Sequence, residues 1–264
     1  MLRFAIPVLG FLLFPAGTIS AAGKHAEDGA HFTLLAEPPG PDGRWRGALL
    51  VDLEPGWKTY WLDPGDAGIP PSMDFAASAG TKAVEAHFPA PHRFDDGFSE
   101  STVYSAPFAV AIEGTATGNA VPHLDLRLTI GLCREVCIPA SLHLTSEPPT
   151  DEGSIEAAFA ALSKASSRDE GIASMRLSPD GKSLDVTVKP GDLGQNADLF
   201  VAAEGWAFDK PSGTSETTDG GVVLRLPVLR QPRKRGGEPV RAEAILVKGE
   251  ASWRSEVDLP LPGN

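Results

Sequence analysis

The stretch Leu124-Asp125-Leu126-Arg127-Leu128-Thr129-Ile130, running on into Gly131-Leu132-Cys133-Arg134-Glu135-Val136-Cys137-Ile138-Pro139, decides how the chain reads. Leu124, Leu126, Leu128 and Ile130 recur at every second position, with Asp125, Arg127 and Thr129 between them. A period of two marks a half-buried strand, because successive side chains of extended backbone point to opposite faces. The two cysteines follow at once. Val136 and Ile138 are β-branched and Pro139 blocks helix continuation, so the pair sits at a turn beyond a strand rather than on a helix.

Working outward, Arg44 to Leu53, Trp57 to Trp61 and Phe108 to Ile112 also read as strands. Turn clusters separate them, GPDG at 40–43 and DPGDAG at 63–68. Ser154 to Ser167 breaks the pattern: Ile155, Ala158, Phe159 and Leu162 fall at helical spacing, with Asp151 and Ser154 as candidate caps. Strands resume at Leu184 to Val188, Val222 to Leu226, Arg241 to Val247 and Ser252 to Leu259. Short strands between Gly- and Pro-rich turns predict an all-β chain of two immunoglobulin-like β-sandwiches joined by a short helical linker.

The N-terminus carries Arg3, an apolar run from Phe4 to Phe14 and then the small residues Thr18, Ser20, Ala21 and Ala22, the layout of an export signal. Pro15, Gly17 and Ser20 interrupt the run before the ~20 residues a membrane span needs. The expected division is a signal peptide at 1–22, a first sandwich at 23–150, a helical linker at 151–170 and a second sandwich at 171–264. No later segment is apolar enough to span a bilayer, so no membrane insertion is expected. The net charge of -12 repels nucleic acid and anionic lipid, which excludes nucleic-acid binding.

Chemistry narrows to the only two cysteines, Cys133 and Cys137. An oxidising compartment lets such neighbours pair. Three uses remain open. A structural bridge across a loop of about five residues is worth at most ~2 kcal/mol in the chain-entropy model. A metal site would use the two thiolates, a soft pair suited to Cu(I). Thiol–disulfide exchange needs two sulfurs close enough to bridge and open to a partner thiol, which a tight turn at a strand end offers. Exchange needs no cofactor, and none is expected. Arg134 favours a thiolate, whereas Glu135 opposes one. Trp57, Tyr60 and Trp61 read mainly as core or edge packing, with a wall beside the cysteines as the lesser alternative.

Four motifs together resemble the N-terminal periplasmic domain of the DsbD family of thiol:disulfide interchange proteins, and within it the ScsB-like branch. They are Gly56-Trp57-Lys58-Thr59-Tyr60-Trp61, Asp63-Pro64-Gly65-Asp66-Ala67-Gly68-Ile69-Pro70-Pro71, Phe88-Pro89-Ala90-Pro91-His92-Arg93-Phe94 and Cys133-Arg134-Glu135-Val136-Cys137-Ile138-Pro139. The resemblance runs from about Phe32 to Leu144. It implies a periplasmic relay in which Cys133 and Cys137 are the catalytic pair, with Cys137 the attacking sulfur. Phe94 to Tyr104 would form a cap loop, in which Asp95, Asp96 and Tyr104 sit beside Phe98 as the aromatic plug. The implied partners are a thioredoxin-like protein or domain, a DsbD/ScsB-type membrane reductase and periplasmic protein substrates. The family's membrane and thioredoxin-like domains have no counterpart in this sequence, so the electron donor is expected to be a separate protein. Some members have a longer gap between their cysteines, so the fit of the cap does not carry over. ScsB-like proteins are associated with copper tolerance, which keeps Cu(I) binding by Cys133 and Cys137 as the alternative function, beside an inert structural bridge.

Overall fold

A computed structural model describes residues 24–65, 68–149, 153–167, 169–189, 197–218, 220–232 and 239–259. The expected signal peptide, Asp66, Ala67 and Asp151 lie outside them. Among the described residues eleven strands precede a single helix: β1 (Lys24–Glu27), β2 (Ala30–Ala36), β3 (Arg44–Leu53), β4 (Lys58–Gly65), β5 (Ser72–Asp74), β6 (Thr81–His87), β7 (His92–Asp95), β8 (Glu100–Tyr104), β9 (Phe108–Ala116), β10 (Asp125–Cys133) and β11 (Cys137–Thr145). They form a five-stranded sheet in the order β1-β2-β3-β9-β6 and a six-stranded sheet in the order β11-β10-β4-β8-β7, with β5 also paired to β10. The predicted alternation holds along β10, where Leu126, Leu128 and Ile130 are buried while Arg127 and Thr129 are exposed. These leucines meet Phe32, Leu34, Leu49, Val51 and Ile112 from the facing sheet in one core. Burying each such side chain stabilises by roughly 1.5–3 kcal/mol, enough to hold the two sheets face to face.

After helix α1 (Ser154–Ala160) come β12 (Lys164–Ala165), β13 (Ile172–Leu177), β14 (Ser183–Val188), β15 (Ala197–Ala203), β16 (Ala207–Phe208), β17 (Gly213–Glu216), β18 (Val222–Arg230), β19 (Val240–Lys248) and β20 (Ala251–Leu259). These make a four-stranded sheet, β12-β20-β19-β15, and a five-stranded sheet, β13-β14-β18-β16, with β17 added on β18. Leu184, Val186 and Leu226 meet Leu199, Val201 and Leu246 in a second core. The chain is thus all-β and immunoglobulin-like, and among the described residues no sheet mixes strands from the two sides of residue 150.

Four details differ from the sequence reading. The helix stops at Ala160 instead of reaching Ser167, because the serine-rich continuation pairs Lys164 with Trp253 in a parallel bridge. Its N-cap is Gly153, and Ser154 is already the first helical residue. The helix is also more than a linker: Ile155 and Ala158 pack on Leu35, Ala48 and Ala111, covering the outside of the first sheet. Finally, β4 runs on through Asp63, Pro64 and Gly65, where a turn is expected.

The two cores touch through β15. Leu199 and Val201 face the second core, whereas Phe200 and Ala202 join the first, with Phe200 edge-on to Trp61 at 6.1 Å between ring centroids.

Candidate functional site

The strand pair β10–β11 is in register from Asp125↔Thr145 to Cys133↔Cys137, so the two cysteines face each other at its very end. Their Cα atoms are 4.1 Å apart and a disulfide joins them around the three-residue turn Arg134-Glu135-Val136. The sulfurs have unlike surroundings. Cys133 is 1 % exposed and packs with Tyr60, Val103 and Phe94. Cys137 is exposed, as are its apolar neighbours Val136, at 71 %, and Ile138, at 47 %.

Tyr60 spans the pair. Its hydroxyl lies 3.0 Å from Cys137 Sγ and 3.2 Å from Cys133 Sγ, and since neither bridged sulfur carries a proton, the phenol is the donor. Two glycines make room for its ring. A Cβ at Gly68 would lie 2.6 Å from Tyr60 Cδ1, and one at Gly131 would lie 2.8 Å from Ile69 Cβ and 3.1 Å from Tyr60 Cδ2. The Gly68 contact is closer than side chains tolerate and so is the one from Gly131 to Ile69, while 3.1 Å to the ring is tight, so both glycines leave the room the tyrosine uses. Burial first, and then the Asp96 carboxylate, raise the Tyr60 pKa above 10.0. The phenol therefore stays an O–H donor throughout the range in which thiols exchange. The lesser alternative of the sequence reading, a wall beside the cysteines, describes Tyr60; Trp61 is core and Trp57 packs against it.

The segment expected to cap the cysteines, Phe94 to Tyr104, is the end of β7, a four-residue hairpin loop closed by Asp95↔Glu100, and β8. Asp95 Oδ1 accepts from Gly97 N at 2.7 Å, and Asp96 Oδ1 accepts from Phe98 N at 2.9 Å and Ser99 N at 2.8 Å. Both carboxylates thus brace their own turn. Those backbone bonds lead the causes that hold Asp96 below the usual carboxylate range, with Lys58 also contributing. Phe98 stands at the tip, 100 % exposed, and plugs nothing in this structure. Tyr104 is core: it donates to Pro89 O at 2.7 Å and stacks on Phe108 at 4.0 Å. The aromatic of this segment that packs against the cluster of Tyr60, Val103 and Cys133 is instead Phe94, with Lys58 Nζ 4.2 Å above its ring centroid. Sequence alone could have found it, since strand alternation sets Phe94 opposite Arg93 and Asp95.

A separate group, Glu85, His87 and Glu113, has the donors of a metal site but already has protein partners. Arg44 Nη2 donates to Glu113 at 2.6 Å, and His87 Nδ1 lies 3.1 Å from Arg254 Nη1. It sits on β6 and β9, in the sheet that does not carry the cysteines.

The geometry describes a bridged pair with one buried and one exposed sulfur, a phenol donating to both, and an aromatic cover. Comparison with known proteins agrees. Residues 28–149 match the family model of the thiol:disulfide interchange protein DsbD, N-terminal. No curated protein matches the chain. Among solved structures, the N-terminal periplasmic domain of ScsB from Proteus mirabilis is similar, at 21 % identity and a TM-score of 0.63 over 91 % of this chain and 98 % of that one. A conserved domain protein from Bacillus anthracis, at 9 % identity over 86 % of this chain and 77 % of that one, overlaps with a TM-score of only 0.22. A marsupial T cell receptor, at 7 % identity over 89 % of this chain and 98 % of that one, reaches 0.20, and neither bears on the fold. Residues 28–149 are therefore matched as a DsbD-family N-terminal domain, and the chain as a whole has a fold similar to that of the ScsB N-terminal periplasmic domain.

Proposed function

We propose that the protein relays electrons in the periplasm, through Cys133 and Cys137, from a thioredoxin-like protein or domain tied to a DsbD/ScsB-type membrane reductase to periplasmic protein substrates. The observation that carries this is the asymmetry of the disulfide: Cys133 is buried against Tyr60 and Phe94 while Cys137 is exposed. A donor dithiol attacks Cys137 Sγ as its thiolate. The Cys133–Cys137 bond breaks, a mixed disulfide forms on Cys137, and Cys133 leaves as a thiolate towards which Tyr60 O–H points. The donor's second thiolate then attacks the mixed disulfide, so the donor departs oxidised and the pair is left reduced by two electrons. Towards a substrate the steps reverse, with the Cys137 thiolate attacking the substrate's disulfide. Exposed Val136 and Ile138 flank that sulfur with the apolar surface a protein partner would cover.

Among the described residues no helix is long and apolar enough to cross a membrane, which fits an exported protein that works beside a membrane reductase. The same reading divides the chain into a signal peptide at 1–22, a redox sandwich at 23–150, a helical linker at 151–170 and a second sandwich at 171–264. Copper binding would use these same two sulfurs as thiolates, so it competes with exchange for the reduced state. The deciding measurement is equilibration of the folded protein with glutathione or thioredoxin buffers. A reversible two-electron transition is expected. A bridge that stays oxidised under strong reductant in the folded protein would leave only a structural disulfide.

A further inference from the structure

The strand that covers the cysteines is gripped from behind by the other half of the chain. In β7, Arg93 and Phe94 are neighbours, so their side chains leave the strand on opposite faces. Phe94 turns towards Cys133 and Tyr60. Arg93 turns towards β15: its Nε donates to Asp198 Oδ1 at 3.0 Å and Oδ2 at 2.8 Å, and its Nη2 donates to Leu199 O at 2.9 Å. Its guanidinium carbon lies 4.9 Å from the Phe200 ring centroid. Nη1 donates to Glu100 Oε1 at 3.0 Å, on the partner strand of the same hairpin, and Lys210 Nζ donates to Glu100 Oε2 at 2.6 Å. Both strands of the hairpin are thus tied to the second sandwich by charged groups, and the planar guanidinium fixes direction as well as distance.

We infer that Arg93 is a positioning residue, and that the second sandwich, through Asp198, Leu199 and Lys210, holds the β7–β8 hairpin so that Phe94 stays over Cys133. The inference rests on the exchange chemistry proposed above. It gives the second sandwich, which carries no cysteine, a part in that chemistry: it sets how readily the buried sulfur meets anything other than a docked partner. A partner that competes for Asp198 or Glu100 would release the cover as it binds. Among the described residues no other charged network joins the hairpin to β15.

The test is the rate at which iodoacetamide alkylates Cys133 in the reduced full chain, followed by mass spectrometry, beside the denaturant midpoint. Asp198→Ala and Arg93→Ala should each accelerate alkylation by roughly fivefold or more, because a local opening becomes cheaper while the global core is untouched. Asp198→Glu, which keeps a carboxylate in reach, should return the rate to within about twofold of the parent. Phe94→Ala should be fast by itself, and adding Asp198→Ala to it should change the rate less than about twofold, since the brace then has no cover to hold. Single variants that react at the parental rate overturn the inference, as does an Asp198→Ala effect that persists undiminished without Phe94. If Arg93→Ala does not fold, Asp198→Ala and Lys210→Ala decide. A parent whose disulfide resists reduction while folded overturns the exchange reading itself, and shows that before any alkylation is measured.

Discussion

Each half of the chain has one long antiparallel hairpin, and the two end differently. β19 and β20 pair without interruption from Val240↔Leu259 to Lys248↔Ala251, and the two-residue loop Gly249-Glu250 closes them, with Gly249 at φ 60°. A positive φ at the first loop position is what a tight hairpin turn demands and what glycine supplies. β10 and β11 pair just as regularly, yet end in a three-residue turn bridged by a disulfide. The second hairpin shows that this architecture closes without a cross-link. The first hairpin's register, fixed by its alternating leucines, does not need one either. The bridge is therefore better explained by chemistry than by fold.

Removing the bridge gives the largest expected effect, and it separates the two roles. Cys137→Ser should abolish disulfide exchange altogether and accumulate no mixed disulfide through the buried sulfur. Cys133→Ser should trap one on Cys137, visible as a covalent adduct in periplasmic extracts. Stability should fall by no more than ~2 kcal/mol in either variant, the chain-entropy value for so short a loop. A loss well beyond that, with exchange-competent partners showing no adduct, would make the hairpins alike in need of a staple and break the comparison.

The second half should instead show its distinctive behaviour in pH. Glu243, on β19, lines a cleft of about 800 Å³ between the halves, and burial pushes its pKa up to about 7. Glu256 pushes the same way, while Arg254 and Arg241 oppose it. The folded state thus keeps a proton that the unfolded chain releases near 4.5. Below that value the contribution is fully present, and it is lost as pH rises towards 7, by about 3 kcal/mol. Glu243→Gln should flatten this slope in denaturant titrations at pH 4 to 8. An unchanged slope would place the titrating group elsewhere.

Tyr60→Phe sharpens the contrast at the other end. The ring stays between Gly68 and Gly131, and only the O–H is lost. A hydrogen bond to a thiolate outweighs one to a disulfide sulfur, so the reduced state loses more. The expected change is about 30 mV towards a more negative potential, equivalent to ~1.4 kcal/mol, with exchange about tenfold slower. An unaltered potential would reduce Tyr60 to packing.

How much of this could be read from sequence depends on whether a residue's job is local. β10 shows its burial in its own alternation, and Cys133 and Cys137 announce themselves by rarity and position. Tyr60 does not, because its partners lie 73 and 77 residues away and its slot is made by two glycines that resemble ordinary turn residues. β15 was hidden for a different reason: buried on both faces, it has no alternation to find. The end of the helix is not legible because helical spacing persists to Leu162, while the parallel bridge that diverts the chain at Lys164 is a tertiary contact with Trp253.

The smallest expected effect is at Phe98. The cap loop's flexible glycine and its aromatic tip resemble a plug, but the side chain is fully exposed and the loop is a hairpin braced by Asp95 and Asp96. A side chain that buries nothing contributes nothing to the folded state by burial, so Phe98→Ala should leave the denaturant midpoint unchanged within about 0.5 kcal/mol. It should also alter alkylation of Cys133 less than twofold, far below Phe94→Ala, because Phe94 is the ring packed against the cluster that holds Cys133. What Phe98→Ala should weaken is docking, since a fully exposed aromatic at the tip of the hairpin beside Cys133 is suited to pack against a partner. The measurement is therefore a pair of rates in one preparation, small-molecule alkylation and reduction by a thioredoxin-like donor. Slower reduction with unchanged alkylation makes Phe98 a partner contact. Faster alkylation would mean that the tip folds over the cysteines in solution, and the division between Phe94 as cover and Phe98 as contact would have to be redrawn.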